Sequence, residues 1–283
     1  MPELPEVETV RKGLEGKLKH FHIEKVEILS QRTIATLQGS DYFEQQLVGS
    51  YFGKWSRRGK YLICNLQSKK ERSCSGWLVV HLRMTGQFQF FKKSSPICPY
   101  TRIRFVNKEK VELRYVDTRN FGQMWWVEPG KHPEEQIKGL KSLGPEPFSR
   151  KFNPSYLKTS LQNRTRSIKS SLLDQSVVAG AGNIYADESL FEAGIIPTKE
   201  SRQLNNDEIV KLCLALSSVL KKSIGKGGTT FKDFRDLEGI NGNYGGQAWV
   251  YGRGNKNCRK CGSIIMKQKI CGRGTHWCPN CQK

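Results

Sequence analysis

The sequence predicts an α+β protein of more than one domain, and three features carry that expectation. Short β-rich runs separated by turns occupy most of residues 22–127, helical periodicity returns after residue 153, and two Cys-x-x-Cys pairs close the chain. At 283 residues the chain can bury two separate cores.

The first predicted element is a helix. After Pro5, the residues Val7, Val10, Leu14 and Leu18 recur at three and four positions, an apolar stripe that anchors the N-terminus on a core. Pro5 with Glu3 and Glu6 is also what an ordinary helix start requires. A chemical reading stands beside that one. Pro2 is small, so Met1 is expected to be removed, leaving Pro2 with the α-amino group. An α-amine has a pKa near ~8 against ~10.4 for lysine, so more of it is a free nucleophile at neutral pH. A secondary amine that attacks an aldehyde gives an iminium, cationic without a further proton and suited to elimination at the neighbouring carbon.

Residues 22–29, 60–66, 77–82, 86–91, 101–106, 111–116 and 123–127 read as strands of an antiparallel sandwich or barrel. Prolines and glycines then mark a connection across 128–154. Asn153-Pro154 reads as a helix N-cap with proline at the first position, and Ile209, Leu212, Leu216 and Leu220 mark an amphipathic helix. Between them, Gly180-Ala181-Gly182 makes a tight turn into a helix from Asn183 to about Gly194. Such a start is either one arm of a plain helix hairpin or a phosphate site. Seven glycines in 225–246 exclude a regular element and fit a lid or a linker.

Charge narrows the partner. There are 47 Lys plus Arg against 26 Asp plus Glu, a net +21 spread along the chain, and no apolar stretch reaches membrane-spanning length. Nucleic acid is the expected partner, with no membrane. The acidic opening lacks the basic character of a targeting segment, so a cytoplasmic, nucleoid-associated location is expected.

Nine cysteines divide into two groups. Cys64, Cys74, Cys98 and Cys213 are scattered and expected to be reduced. Cys258-x-x-Cys261 and Cys278-x-x-Cys281, sixteen residues apart, have the spacing of a four-thiolate zinc ribbon with a hairpin between the knuckles. Cys271 and His276 fall out of register and are read as bystanders. Arg273 stands near the hairpin tip, where it can meet a phosphate. His81-Leu82-Arg83-Met84-Thr85-Gly86 and Asp117-Thr118-Arg119-Asn120-Phe121-Gly122 each put a wedge-capable Met or Phe beside a turn; either is also an ordinary core residue.

Taken together, Pro2-Glu3-Leu4-Pro5-Glu6-Val7-Glu8, Gly182-Asn183-Ile184-Tyr185-Ala186, the Cys-x-x-Cys pairs and Gly272-Arg273-Gly274-Thr275-His276 resemble the formamidopyrimidine-DNA glycosylases across essentially the whole chain. The resemblance implies an N-terminal antiparallel β-sandwich carrying a catalytic helix (1–135), a linker (136–152), a helix–two-turn–helix domain with a lesion-capping loop (153–247, loop about 225–246) and a four-cysteine zinc finger (248–283). It implies a monomeric base-excision repair enzyme that acts on duplex DNA with an oxidised base, holds one structural zinc and needs no organic cofactor.

Residue roles follow from the resemblance. Pro2 would attack C1′, Glu3 would assist sugar opening, Glu6 would keep the site in order, Lys60 would serve β-elimination and Arg273 δ-elimination. Met84, Arg119 and Phe121 would fill the void of the everted base, and His81, Tyr100, Arg164, Asn183 and Tyr251 would contact DNA. Thr229, Thr230, Phe231, Lys232, Asp233 and Phe234 would read the purine through their main chain. Tyr100 stands where the family commonly has His, and Thr229 where Ser is frequent. The related endonuclease VIII branch usually has Gly where this chain has Leu4, and its preference for pyrimidines makes oxidised purines the expected substrate here. A zinc-ribbon DNA binder with no catalysis is the reading from another class.

Overall fold

The computed structural model describes residues 1–68, 73–92, 95–229, 242 and 244–283. Thr230, Phe231, Lys232, Asp233 and Phe234 lie outside the described residues. The chain forms two compact units, one of Met1–Lys141 with Gly227–Gly242 and one of Ser142–Lys226 with Asn243–Lys283.

The first unit opens with α1 (Leu4–Lys17), followed by β1 (Lys25–Ile28), α2 (Ser40–Leu47), β2 (Ser50–Arg58), β3 (Tyr61–Ser68), β4 (Cys74–His81), β5 (Gly86–Phe91), β6 (Thr101–Val106), β7 (Glu112–Asp117) and β8 (Gln123–Val127). Two four-stranded antiparallel sheets result, in the orders β1-β6-β7-β5 and β2-β3-β4-β8. The sandwich expectation is the one realised. One apolar core joins Trp55, Leu62, Leu78 and Val80 of one sheet to Phe88, Phe105, Leu113 and Tyr115 of the other, with Val7, Val10 and Leu14 of α1 packed into it. Ring pairs cross between the sheets, Phe52 to Phe105 at 5.5 Å and Trp55 to Phe88 at 6.4 Å. Burial of this kind, about 25 cal/mol per Å² of apolar surface, drives the assembly.

β2 and α2 have no counterpart in the expected elements. A bulge between Phe52 and Trp55 breaks the alternation of β2, and Gly53-Lys54 occupies the break. The Trp55 amide donates to Glu15 Oε2 of α1 at 2.9 Å, so the bulge binds helix to sheet. In α2 only Phe43 and Leu47 are buried, too few to announce a helix.

The short helices α3 (Pro133–Gln136) and α4 (Lys138–Lys141) close the Met1–Lys141 part of the first unit. The second holds α5 (Pro154–Leu161), α6 (Ile168–Leu173), α7 (Asn183–Ala193), α8 (Asn206–Gly225) and the hairpin β9 (Met266–Ile270) with β10 (Arg273–Trp277). Asn153 and Asn205 cap α5 and α8 by accepting from Tyr156 and Glu208 amides. Cys271 (φ +46) and Gly272 (φ +75) form a two-residue hairpin turn in the left-handed region.

Candidate active site and nucleic-acid interface

In the first unit the helix start is built on carboxylates. Pro2 is buried, and Glu3 and Glu6 are 3% and 2% exposed. The Glu3 amide donates to Glu6 Oε2 at 2.8 Å, closing the first turn of α1. The other oxygen, Glu6 Oε1, accepts from the Thr229 amide at 2.8 Å. Gly228 has φ +80, and a Cβ there would stand 2.9 Å from Glu6 Oε1 and 3.3 Å from its Cα. Glycine is required at 228 on both counts. Glu6 thus ties the N-terminal turn to the start of the glycine-rich segment.

Lys60 sits in the two-residue turn between β2 and β3, behind Gly59 (φ +57), and is 6% exposed. Arg57 fixes this turn, with Nη1 donating to Gly59 O at 2.9 Å and Nε to Glu8 of α1 at 3.2 Å. His81 lies edge-on to Tyr61 at 4.5 Å, and its Nδ1 accepts from the Arg83 amide at 3.0 Å. Its proton therefore sits on Nε2. Burial, with the cations of Arg83 and Lys60, pushes its pKa down to about 3, so the ring is neutral at physiological pH.

The two wedge turns share one support. Asp117 accepts from the amides of Arg119, Phe121 and Gly122 at 3.2, 2.9 and 2.7 Å and from the Thr85 hydroxyl. One carboxylate holds both turns. Tyr115 lies beneath them, its hydroxyl 1.6 Å from where a Cβ at Gly122 would be and 2.1 Å from one at Gly86. Met84 and Phe121 line an open pocket of about 420 Å³ with Met1, Arg32, Arg83, Asn120 and Gln123. Phe121 is 40% exposed, with the Arg119 guanidinium 4.8 Å from its ring centre. Tyr100 is exposed on the loop before β6.

In the second unit α7 is the organising element. Asn183, at its first position, donates from Nδ2 to Gly274 O at 3.0 Å and lies 3.5 Å from the Tyr251 hydroxyl. Asp187, fully buried, pairs with Lys169 Nζ at 2.6 Å and accepts from the His276 amide at 2.9 Å. Lys169 also donates to Gly274 O at 3.0 Å and Thr275 Oγ1 at 2.8 Å. Glu188 accepts from three consecutive amides, Trp249, Val250 and Tyr251, at 2.8 to 2.9 Å. Burial raises its pKa, against the pull of those amides. Asn183, Tyr251 and the β10 strand are thereby set by one helix, while Arg273 begins β10 exposed. Arg164 donates to Asp174 at 3.0 Å, and Arg166 pairs with the same carboxylate. Burial works to raise the Asp174 pKa, but Ser176 and the two arginines hold it well below the usual range.

The residues missed from sequence are these supports: Asp117, Lys169, Asp174, Asp187 and Glu188. A faint signal existed in Asp187-Glu188, two adjacent acids in the middle of a helix whose flanking residues Tyr185, Ala186, Leu190 and Phe191 are apolar and buried. His276, read as a bystander of the metal, lies outside the four-cysteine cluster; it is 7% exposed, and its amide donates to Asp187.

The four sulfurs of Cys258, Cys261, Cys278 and Cys281 lie within 4.8 Å of one another. Tetrahedral zinc with Zn–S near 2.3 Å spaces its sulfurs about 3.8 Å apart, so the cluster fits a four-thiolate site with modest adjustment. The backbone is set for it, with Cys258 N donating to Ser263 O at 2.7 Å and Gln282 Oε1 accepting from Cys278 N at 2.8 Å. All nine cysteines are free thiols.

Comparison with known proteins agrees with this geometry. A family model described as the formamidopyrimidine-DNA glycosylase N-terminal domain matches residues 1–124, and one described as the formamidopyrimidine-DNA glycosylase H2TH domain matches residues 143–235. A formamidopyrimidine-DNA glycosylase of Prochlorococcus marinus is 65% identical over 283 residues, covering all of both chains. Among solved structures, a Lactococcus lactis FPG mutant in complex with DNA containing Fapy-dG superposes with a TM-score of 0.90 at 35% identity, again over all of both chains. The wild-type Lactococcus lactis FPG in complex with DNA containing an oxidised pyrimidine gives 0.89 at 35% identity with the same coverage. Similarity this high along the entire length, in sequence and in backbone alike, places the chain in the formamidopyrimidine-DNA glycosylase family.

Proposed function

We propose that this protein excises oxidised purines, 8-oxoguanine and formamidopyrimidines, from duplex DNA and then cuts the strand at the abasic site by β,δ-elimination. The observation that carries the proposal is the bridging of Glu6, which joins the amide of Glu3 to that of Thr229 and so links the N-terminal turn to the segment expected to read the base. With Met1 removed, the Pro2 amine attacks C1′; the C1′–N bond breaks and the base leaves with its electron pair. Glu3 supplies a proton to O4′ as the sugar opens, leaving an iminium between Pro2 N and C1′. That electron sink allows loss of a C2′ proton and rupture of the C3′–O bond, and a second elimination breaks the C5′–O bond. Lys60 serves the first elimination and holds a phosphate, and Arg273 serves the second. Met84, Arg119 and Phe121 fill the space the base leaves, while His81, Tyr100, Arg164, Asn183 and Tyr251 hold the duplex.

The four cysteines would bind one zinc; with four protein ligands it has no open position and acts structurally. The protein acts as a monomer on nucleoid DNA, and no helix among the described residues is long and apolar enough to cross a membrane.

Lesion choice is the point to test, because the Lactococcus lactis relative has been captured with DNA containing Fapy-dG and with DNA containing an oxidised pyrimidine. Duplexes carrying 8-oxoguanine or an oxidised pyrimidine should be compared for strand cleavage at equal enzyme. Faster cleavage at 8-oxoguanine, with phosphates on both ends of the gap, is expected. Faster cleavage at the pyrimidine would overturn the substrate assignment, and binding with no cleavage would leave a DNA-binding protein.

A further inference from the structure

We propose that the turn Ser30–Thr33 is the positioning element of the wedge and that Arg32, within it, holds the Phe121 ring in its inserting position. The inference rests on the assignment of Phe121 as the residue that enters the base stack. Two sets of contacts hold the Phe121 turn. From inside, Asp117 gathers its amides. From outside, segment 30–33 grips Asn120, the residue just before Phe121. Asn120 Oδ1 accepts from the hydroxyls of Ser30 and Thr33, each at 3.2 Å, and its Nδ2 donates to Ser30 Oγ at 2.9 Å. Asn120 has φ +53, a left-handed conformation that non-glycine residues hold only when surrounding contacts demand it, and Asn tolerates better than most. These three hydrogen bonds supply that demand. The conformation turns Phe121 outward, where it is 40% exposed.

Arg32 completes the arrangement. Its guanidinium lies 5.4 Å from the Phe121 ring centre, beside that of Arg119 at 4.8 Å. Two cations on one exposed ring limit its rotation and bring positive charge to the place where a ring must push between stacked bases. Arg32 is itself exposed and lines the same open pocket as Met84 and Phe121. Arg32 therefore acts through Phe121 and is a positioning residue.

The test uses the full-length protein and a duplex with 2-aminopurine next to 8-oxoguanine, whose fluorescence rises when the stack opens. Five proteins are compared: wild type, Arg32→Ala, Phe121→Ala, the double variant, and Arg32→Lys as the conservative control. Exposed cation–π contacts correspond to roughly a two- to fivefold effect. Arg32→Ala should slow the fluorescence rise and lesion excision by that factor and leave strand cleavage at a preformed abasic site unchanged, since no base must be everted there. Arg32→Lys should restore most of the rate. The double variant should be no slower than Phe121→Ala alone. If Phe121→Ala slows opening but Arg32→Ala does not, or if the two effects multiply, the positioning role of Arg32 is wrong while the wedge assignment stands. If Phe121→Ala itself leaves the fluorescence unchanged, the wedge assignment fails and takes this proposal with it.

Discussion

At the scale of single residues, the partners of Glu6 and the burial of His81 decide what a substitution there does. Glu6 is held by two amides from different segments, so Glu6→Gln keeps the shape but turns one accepting oxygen into an NH2 that faces an amide donor. It should cost activity more than Glu3→Gln costs binding. Glu3→Gln is expected to bind lesion DNA at near wild-type affinity in a gel-shift assay and to stall before strand cleavage; full turnover would remove Glu3 from the mechanism. His81 makes a pH prediction. Its folded pKa, about 3, lies below the ordinary value near ~6.5, so the unfolded chain binds a proton first as pH falls. Stability should decline between about pH 6.5 and 3, by at most about 1.4 kcal/mol per pH unit from this residue. Urea midpoints for wild type and His81→Gln should diverge as pH rises through that window. Parallel curves would mean His81 is not buried neutral.

At the scale of elements, the cysteine-rich hairpin and α7 form one device. A segment the size of the finger is too small for a core of its own. Among the described residues its apolar cluster holds Phe191, Val250, Cys258, Ile265 and Cys278, with Cys281 packed against it, and the first of these belongs to α7. Metal binding in comparable peptides contributes on the order of 10 kcal/mol. Cys278→Ser should give a zinc-free protein whose first unit stays folded and which hardly binds duplex, whereas Cys271→Ser keeps both zinc and binding; zinc content by atomic absorption and a gel shift decide it. Zinc loss from Cys271→Ser with retention in Cys278→Ser would mean that the hairpin register is shifted. Asp187→Asn leaves Lys169 buried without its anion, a change that costs about 3–5 kcal/mol in comparable sites, so the second unit should melt earlier in calorimetry.

These elements also show what the sequence reveals. The ribbon spacing, the α1 stripe and most strands were legible, because periodicity and ligand spacing are local. β2 was not, because its bulge hides the alternation and the compensating partner, Glu15, lies 40 residues earlier. The supports of the site were equally hidden. Asp117 looks like any turn aspartate until its three amides are seen, and the Lys169–Asp187 pair joins residues from two helices with His276 from the hairpin.

At the scale of the whole molecule, the +21 charge sets the binding law. Each phosphate neutralised by a cation contributes about −0.9 to the slope of log K against log salt. Arg273→Ala should weaken binding and flatten the slope by about one unit, and Asn183→Ala should weaken binding with little change in slope. An unchanged slope for Arg273→Ala would place that side chain away from the backbone. The central claim, however, is the identity of the nucleophile, and borohydride trapping on 8-oxoguanine duplex followed by peptide mapping tests it most directly. A covalent adduct on the peptide Pro2–Arg11, with Met1 absent, is the predicted result. An adduct on a lysine peptide, Lys60 included, or full trapping by protein that retains Met1, would contradict it.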